Sequence, residues 1–396
     1  MAVQSTMRSE PPRPSLLNDP VVRGIAYQVI VGVLVAGFIA WIVHNTALNL
    51  AAQNKTTGFD FLWKTSGFQI SFSLIPFDRS STYWTAFLVG LLNTLLVAVV
   101  GIFFATILGF SIGIARVSSN WVIGRLATVY VETIRNIPLL LQLFFWYFAV
   151  LKTMPAVKDS IPLPFESYLN QRGLFVPRPL PDQHFIWILL ALVVSIGLII
   201  VLRMWAKRRL EATGQRFPVF LSSVAILVVI LGAVWTLSGT TMAFDPPIKT
   251  RFNFNGGLEL PPEFVALAFG LSIYTAAFIA ETVRGGILAV SHGQTEAAQS
   301  LGLKEGDRLR LVVIPQAMRV IIPPLTSQYL NLTKNSSLGA AIGFPELVNV
   351  FTGTTLNQTG KAIECIAMTM AVYLCFSLAT SAFMNWYNAR VALVER

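Results

Sequence analysis

Three groups of residues in this 396-residue chain have the types and spacing that chemistry or recognition would need. The first is Glu296-Ala297-Ala298, followed after three residues by Gly302 and then by an apolar run ending at Val312, Ile314 and Pro315. Ser291 or Thr295 can cap a short helix here, Gly302 suits the left-handed residue that ends one, and a second helical piece begins near Asp307. Two alanines leave the first helix thin enough for a partner to approach closely. Such a helix–glycine–helix is a docking knob, or else an ordinary solvated loop helix. The second group is a repeated spacing, Glu132-Thr-Ile-Arg135 and Glu281-Thr-Val-Arg284. In a helix each is a local i,i+3 ion pair, and near a span end each pairs or lines a pathway. The third is Lys334-Asn335-Ser336-Ser337 inside an apolar stretch. A lysine at membrane depth with hydroxyl donors beside it can meet a carboxylate, or can be a packed polar kink next to Pro323-Pro324. Gln142 and Thr275 are further pathway candidates.

No catalytic set accompanies these groups. His44, His184 and His292 are scattered over span ends and loops, without the short spacing of a metal site. There is no G-x-x-x-x-G-K-[ST] phosphate loop and no G-x-S-x-G nucleophile turn. The reading is therefore of a non-enzyme with no cofactor and no metal in the chain. If ATP drives it, the nucleotide is bound elsewhere. Cys365 and Cys375 lie ten residues apart in one apolar span, about 15 Å along a helix and too far to bridge.

The elements that position these residues follow from composition. Hydrophobic residues make up 54% and charged residues only 12%, where a soluble domain carries about 25% charged. The class is an all-α polytopic membrane protein with about eight transmembrane helices. The net charge of +10 suggests no nucleic acid, because the basic residues cluster in short loops, as the positive-inside rule requires. Met1–Arg23 is a polar tail. Spans are expected over about Gly24–Val43, Trp84–Ala115, Trp121–Leu151, His184–Trp205, Phe217–Leu237, Glu263–Ala280, Ala317–Ile342 and Ala362–Trp386. His44–Tyr83 reads as an exterior segment whose weakly alternating pieces define no strand domain, Lys152–Gln183 as a proline-rich exterior segment, and Gly239–Pro262 as exterior. Lys207–Arg209 and Lys304–Arg319 both fall inside, which puts both termini in the cytoplasm. The glycines of the second span (Gly90, Gly101, Gly109, Gly113) suit close helix packing.

Glu296-Ala-Ala-x-x-x-Gly302, nine residues, then Val312-x-Ile314-Pro315, resembles the EAA motif of ABC importer permeases, with Val312 and Ile314 as conservative departures. Glu132–Leu143 (ETIRNIPLLLQL), Thr275–Gly286 (TAAFIAETVRGG) and Asn331–Leu347 are similar to the polar amino-acid branch of that family. In the first of these the family often has Gly-Thr where this chain has Asn136-Ile137.

The resemblance implies a type I importer core of five helices in 84–151 and 263–386, with the cytoplasmic coupling loop at about 291–315. The remainder is a first extra helix and periplasmic segment (24–83), a region of periplasmic segments and two extra helices (152–262), and short cytoplasmic tails (1–23 and 387–396). It further implies a bacterial inner-membrane complex. Its partners are an ABC ATPase dimer that uses ATP and magnesium, a second homologous permease, and a periplasmic amino-acid binding protein. Glu296, Ala297, Ala298, Gly302 and Pro315 would couple to the ATPase. Arg135, Gln142, Thr275, Glu281, Lys334, Asn335 and Ser337 are the substrate-pathway candidates, with Lys334 placed to meet an amino-acid carboxylate. The competing reading is an ion-coupled secondary amino-acid transporter, which would need discontinuous helices in paired halves.

Overall fold

The structure, a computed structural model, describes residues 20–52, 58–182, 184–215, 217–239, 242–250 and 253–391. Most of the polar N-terminal tail and the last five residues of the C-terminal one lie outside these. Among the described residues, seven helices are long and apolar enough to cross a membrane, and a bent pair makes an eighth.

The first helix, α1 (Pro20–Ala52), is apolar all round, and none of its most hydropathic window is buried within the chain. Such a helix is stable only in lipid or against another subunit. After it, α2 (Tyr83–Arg116) begins at Thr82, whose hydroxyl accepts from the Thr85 amide. Gly109 and Gly113, four residues apart, bring α2 against α7 (Pro262–Leu288). A Cβ at Gly109 would sit 2.5 Å from Ile279, and one at Gly113 2.6 Å from Val283. This is small-residue packing of the kind that stands in for a hydrophobic driving force between helices in lipid. α7 is the centre of the core, packing on α2, on α3 (Trp121–Asn136), on α4 (Leu139–Phe144) and on α10 (Ile314–Asn335).

The third span is not the single helix expected over Trp121–Leu151. It breaks between α3 and α4 and bends by 104°. Pro138 supplies no amide hydrogen and drives Ile137 to an extended backbone (φ −99°, ψ 128°). The freed carbonyls of Ile134 and Ile137 are taken up by the Gln142 side-chain amide at 2.8 and 2.9 Å. A π-helical turn over Phe145–Val150 follows.

Two of the segments read as exterior, Lys152–Gln183 and Gly239–Pro262, carry short strands. Strands β1 (Ile161–Leu163), β2 (Ser167–Asn170) and β3 (Gly173–Val176) join β8 (Leu258–Leu260) in one antiparallel sheet of order β1-β2-β3-β8. β4 (Arg178–Pro181) pairs with β5 (Met242–Asp245), and β6 (Ile248–Lys249) with β7 (Phe254–Asn255). Val157, Phe175 and Phe254 form its small core, with Tyr168 packed alongside. The two segments read as separate loops are thus one module. Between β4 and β5 the chain runs out through α5 (Phe185–Thr213) and back through α6 (Val219–Ser238), which pack on each other.

α7 runs two turns beyond Ala280, so Glu281 and Arg284 belong to the helix rather than to the loop. The loop holds α8 (His292–Ser300) and α9 (Glu305–Arg308), then a π-turn over Leu309–Val313 that feeds α10. Past α10 the chain tightens into a 3-10 helix (Ser336–Ile342), turns at Gly343 with φ +81°, and widens into a π-helix (Val348–Thr355). The short α11 (Leu356–Thr359) and the last span α12 (Ala362–Val391) complete it.

Candidate functional site

Three places carry the residues singled out by the sequence. The first is the turn after α8. The Ser291 side chain makes no capping bond; the Ser291 carbonyl instead receives the Gln294 amide at 3.0 Å. The other end is fully built. Gly302 has φ +73°, its amide donates to the Gln299 carbonyl at 2.8 Å, and the Leu303 amide reaches the Ala298 carbonyl at 3.2 Å. That double closure is the Schellman arrangement, and it satisfies carbonyls that a helix end otherwise leaves open. Ala298 is buried at 3% exposure, while Glu296 and Ala297 face outward. Glu296 accepts from, or pairs with, His292 Nδ1 at 2.9 Å. α8 rests on the π-turn before α10, and the Gln316 amide bonds Gln294 at 3.3 Å. Pro315 opens α10, exposed, where a missing amide hydrogen costs little.

The second is a charge cluster where α2, α3 and α7 meet. Arg116, at the end of α2 and only 9% exposed, bonds Glu281 of α7 through one nitrogen and Glu132 of α3 through the other at 3.3 Å. Arg284 closes the i,i+3 pair with Glu281 at 2.6 and 3.1 Å. The matching pair on α3 does not form: Glu132 turns to Arg116, and Arg135 lies over the Phe278 ring at 5.1 Å. One guanidinium thus ties both copies of the repeated motif. Arg116 reads in the sequence only as a span-end residue, because its two partners lie 16 and 165 positions away.

The third is a pair of adjoining cavities of about 470 and 450 Å³ that share Val348 and Thr352. Lys334 and Ser337 line the first, with Thr369, Met370 and Tyr373 of α12 opposite. The Lys334 ammonium has no hydrogen-bond or ion-pair partner among the described residues. The Ser337 hydroxyl is committed to the Lys334 carbonyl at 2.8 Å. Glu346, fully buried, holds this wall: its carboxylate accepts from the amides of Val348 (2.7 Å) and Asn349 (2.8 Å) and from the Tyr373 hydroxyl (3.3 Å). An acid after a proline inside an apolar stretch was the one signal in the sequence for this residue.

The pathway candidates therefore divide. Lys334 and Ser337 share a cavity, and Asn335 ends α10 beside them without lining it. Arg135 and Glu281 belong to the charge cluster. Gln142 is 5% exposed with its amide occupied at the α3–α4 break, and Thr275 is buried within α7 at 3% exposure.

Comparison with known proteins places these features in a family. The family described as binding-protein-dependent transport system inner membrane component matches residues 105–393. The chain is 54% identical over 382 residues to the general L-amino acid transport system permease protein AapQ of Rhizobium johnstonii, covering 96% of this chain and 95% of that one. It is 50% identical over 381 residues to the putative amino-acid ABC transporter permease protein YhdX of Escherichia coli K12, covering 96% of each. It is 40% identical over 426 residues to the glutamate/glutamine/aspartate/asparagine transport system permease protein BztB of Rhodobacter capsulatus, covering 98% of this chain and all of that one. With a family match that takes in α7, the α8 turn, α10 and α12, and relatives aligned along nearly the whole chain, this protein belongs to the inner-membrane permease components of binding-protein-dependent ABC transport systems.

Proposed function

We propose that this chain is the membrane-spanning subunit of an ATP-driven importer that carries polar L-amino acids into the cytoplasm. ATP hydrolysis belongs to a partner ATPase dimer, delivery to a periplasmic binding protein, and the other half of the pathway to a second homologous permease. In this reading α8 and both termini are cytoplasmic.

The observation that carries the proposal is the exposed α8 helix, closed by Gly302 and seated on the start of α10. α10 runs from that seat to Lys334 at the cavity wall, roughly 30 Å away at 1.5 Å per residue. A partner that grips Glu296 and Ala297 thereby holds one end of a rod whose other end is the cavity. Nucleotide-dependent movement of the ATPase then biases which way the cavity opens, through contacts that differ between the two states. In the cavity the free ammonium of Lys334 receives the substrate α-carboxylate. The Arg116 cluster acts as the latch between α2, α3 and α7 that must rearrange as the helices move.

Reconstitution of the chain with its ATPase, second permease and binding protein in liposomes tests this. Uptake of radiolabelled amino acid is expected only with ATP and binding protein. Glu296→Lys and Gly302→Asp are expected to cut uptake by about tenfold or more while leaving the chain inserted, the equivalent of about 1.4 kcal/mol of lost coupling. Uptake by this chain alone, without ATP, would refute the proposal and favour an ion-coupled carrier.

A further inference from the structure

Resting on that reading, we infer that the second cavity is a side-chain-reading compartment, in which the carboxamides of Asn349 and Asn357 recognise the carbonyl-bearing side chain of a substrate held by Lys334. The two cavities, both open to the outside of the chain, have Val348 and Thr352 in common, and the proposed ligand lies across that shared wall. Their linings differ in kind. The first offers one cation, and its Val348, Ile366 and Met370 give it an apolar wall. The second is lined by Asn349, Thr352, Thr354 and Asn357, with no charged residue among them.

Availability of the polar atoms sharpens the assignment. The Thr352 hydroxyl is taken by the Val348 carbonyl at 2.8 Å, and the Thr354 hydroxyl leans on the Asn349 carbonyl at 3.5 Å. Neither asparagine side chain has an internal hydrogen bond among the described residues. Two uncommitted carboxamides each offer donors and an acceptor. That set matches a primary amide in both directions and accommodates a carboxylate through its donors. It has no anion for an ammonium or guanidinium. The segment presenting them is a π-helix continued by α11, and its start is fixed by the buried Glu346 through the amides of Val348 and Asn349. π-Helical turns are uncommon and recur at functional places. Here the π-helix carries Asn349, and α11 directly after it carries Asn357, on the wall of the same cavity.

The test uses the purified permease–ATPase complex, in which no binding protein preselects the ligand, and compares binding of radiolabelled glutamine and alanine. Asn349→Leu combined with Asn357→Leu is expected to weaken glutamine binding by about tenfold or more and alanine binding by less than about twofold, since a site built to hydrogen-bond a group loses most where that group is present. Asn357→Gln, which retains the carboxamide, is expected to recover part of the glutamine preference. Equal loss for both ligands, or no change for either, overturns the inference. ATP-dependent uptake by the unaltered complex with its binding protein is measured in parallel. Its presence alongside an unchanged ligand preference leaves the transport reading standing, and its absence removes both.

Discussion

Glu346 shows how one side chain can organise a stretch of irregular backbone. Widening from a 3-10 helix to a π-helix leaves amide hydrogens at the new start without an i−4 partner, and lipid supplies none. The Glu346 carboxylate takes two of them and the Tyr373 hydroxyl as well, which ties the π-helix to α12. Leucine would fill a similar volume and leave the Val348 and Asn349 amides without their acceptor, at about 1–3 kcal/mol each, and would take one partner from the Tyr373 hydroxyl. Glu346→Leu is therefore expected to lower the melting temperature of the detergent-solubilised protein, and to reduce substrate binding more than Glu346→Gln, whose carbonyl still accepts. A thermal-shift assay on the three proteins checks this. At the same scale, the sequence showed Lys334 as a cation in an apolar stretch, and the structure sets it on a cavity wall. It did not show Asn349 or Asn357, since polar residues near a helix end are common and their shared cavity depends on how the chain turns at Gly343.

Among the elements, α7 has little freedom to change. Gly109 and Gly113 of α2 bring the two backbones together so closely that any side chain there meets Ile279 or Val283. Gly109→Val is expected to cost about 1–3 kcal/mol through overpacking. It should shift the temperature of aggregation by a larger margin than Gly232→Val in α6, where a Cβ meets nothing within 4 Å. Most long helices were legible from hydropathy, because about 20 apolar residues in lipid admit little else. What was not legible has particular causes. The α3–α4 break turns on whether neighbouring groups can accept freed carbonyls, and Gln142 answers that only once the chain is folded. The strands are two to four residues long and pair over distances as great as from Leu174 to Leu260, so no local alternation announced them. α7 outran its expected end because Glu281 and Arg284 look like loop charges until Glu281 is seen to pair with both Arg284 and Arg116.

At the scale of the molecule, the chain divides into a packed group around α7 and peripheral parts that lean on it lightly. The α5–α6 hairpin leaves and returns through a two-stranded ribbon, with Pro181 opposite Met242 and Arg178 opposite Asp245. Its ends are already side by side, so closing that gap costs little conformational entropy. Replacing residues 182–241 by a short Asn-Gly turn is expected to leave a folded protein. Size-exclusion chromatography should give a single peak, and ATP-dependent uptake should persist in the full complex. Aggregation of the shortened chain would show instead that the hairpin supports the core.

The same ribbon has a consequence for topology. Paired strands must share one side of the bilayer, so the stretch from Pro181 to Met242 can cross only an even number of times. β3 against β8 imposes the same parity on the longer stretch from Val176 to Leu258. These are counts enforced by hydrogen bonds and independent of any charge rule. During synthesis the ribbon can zip only after α6 has been threaded back, so its resistance to an added protease would time-stamp the completion of membrane insertion.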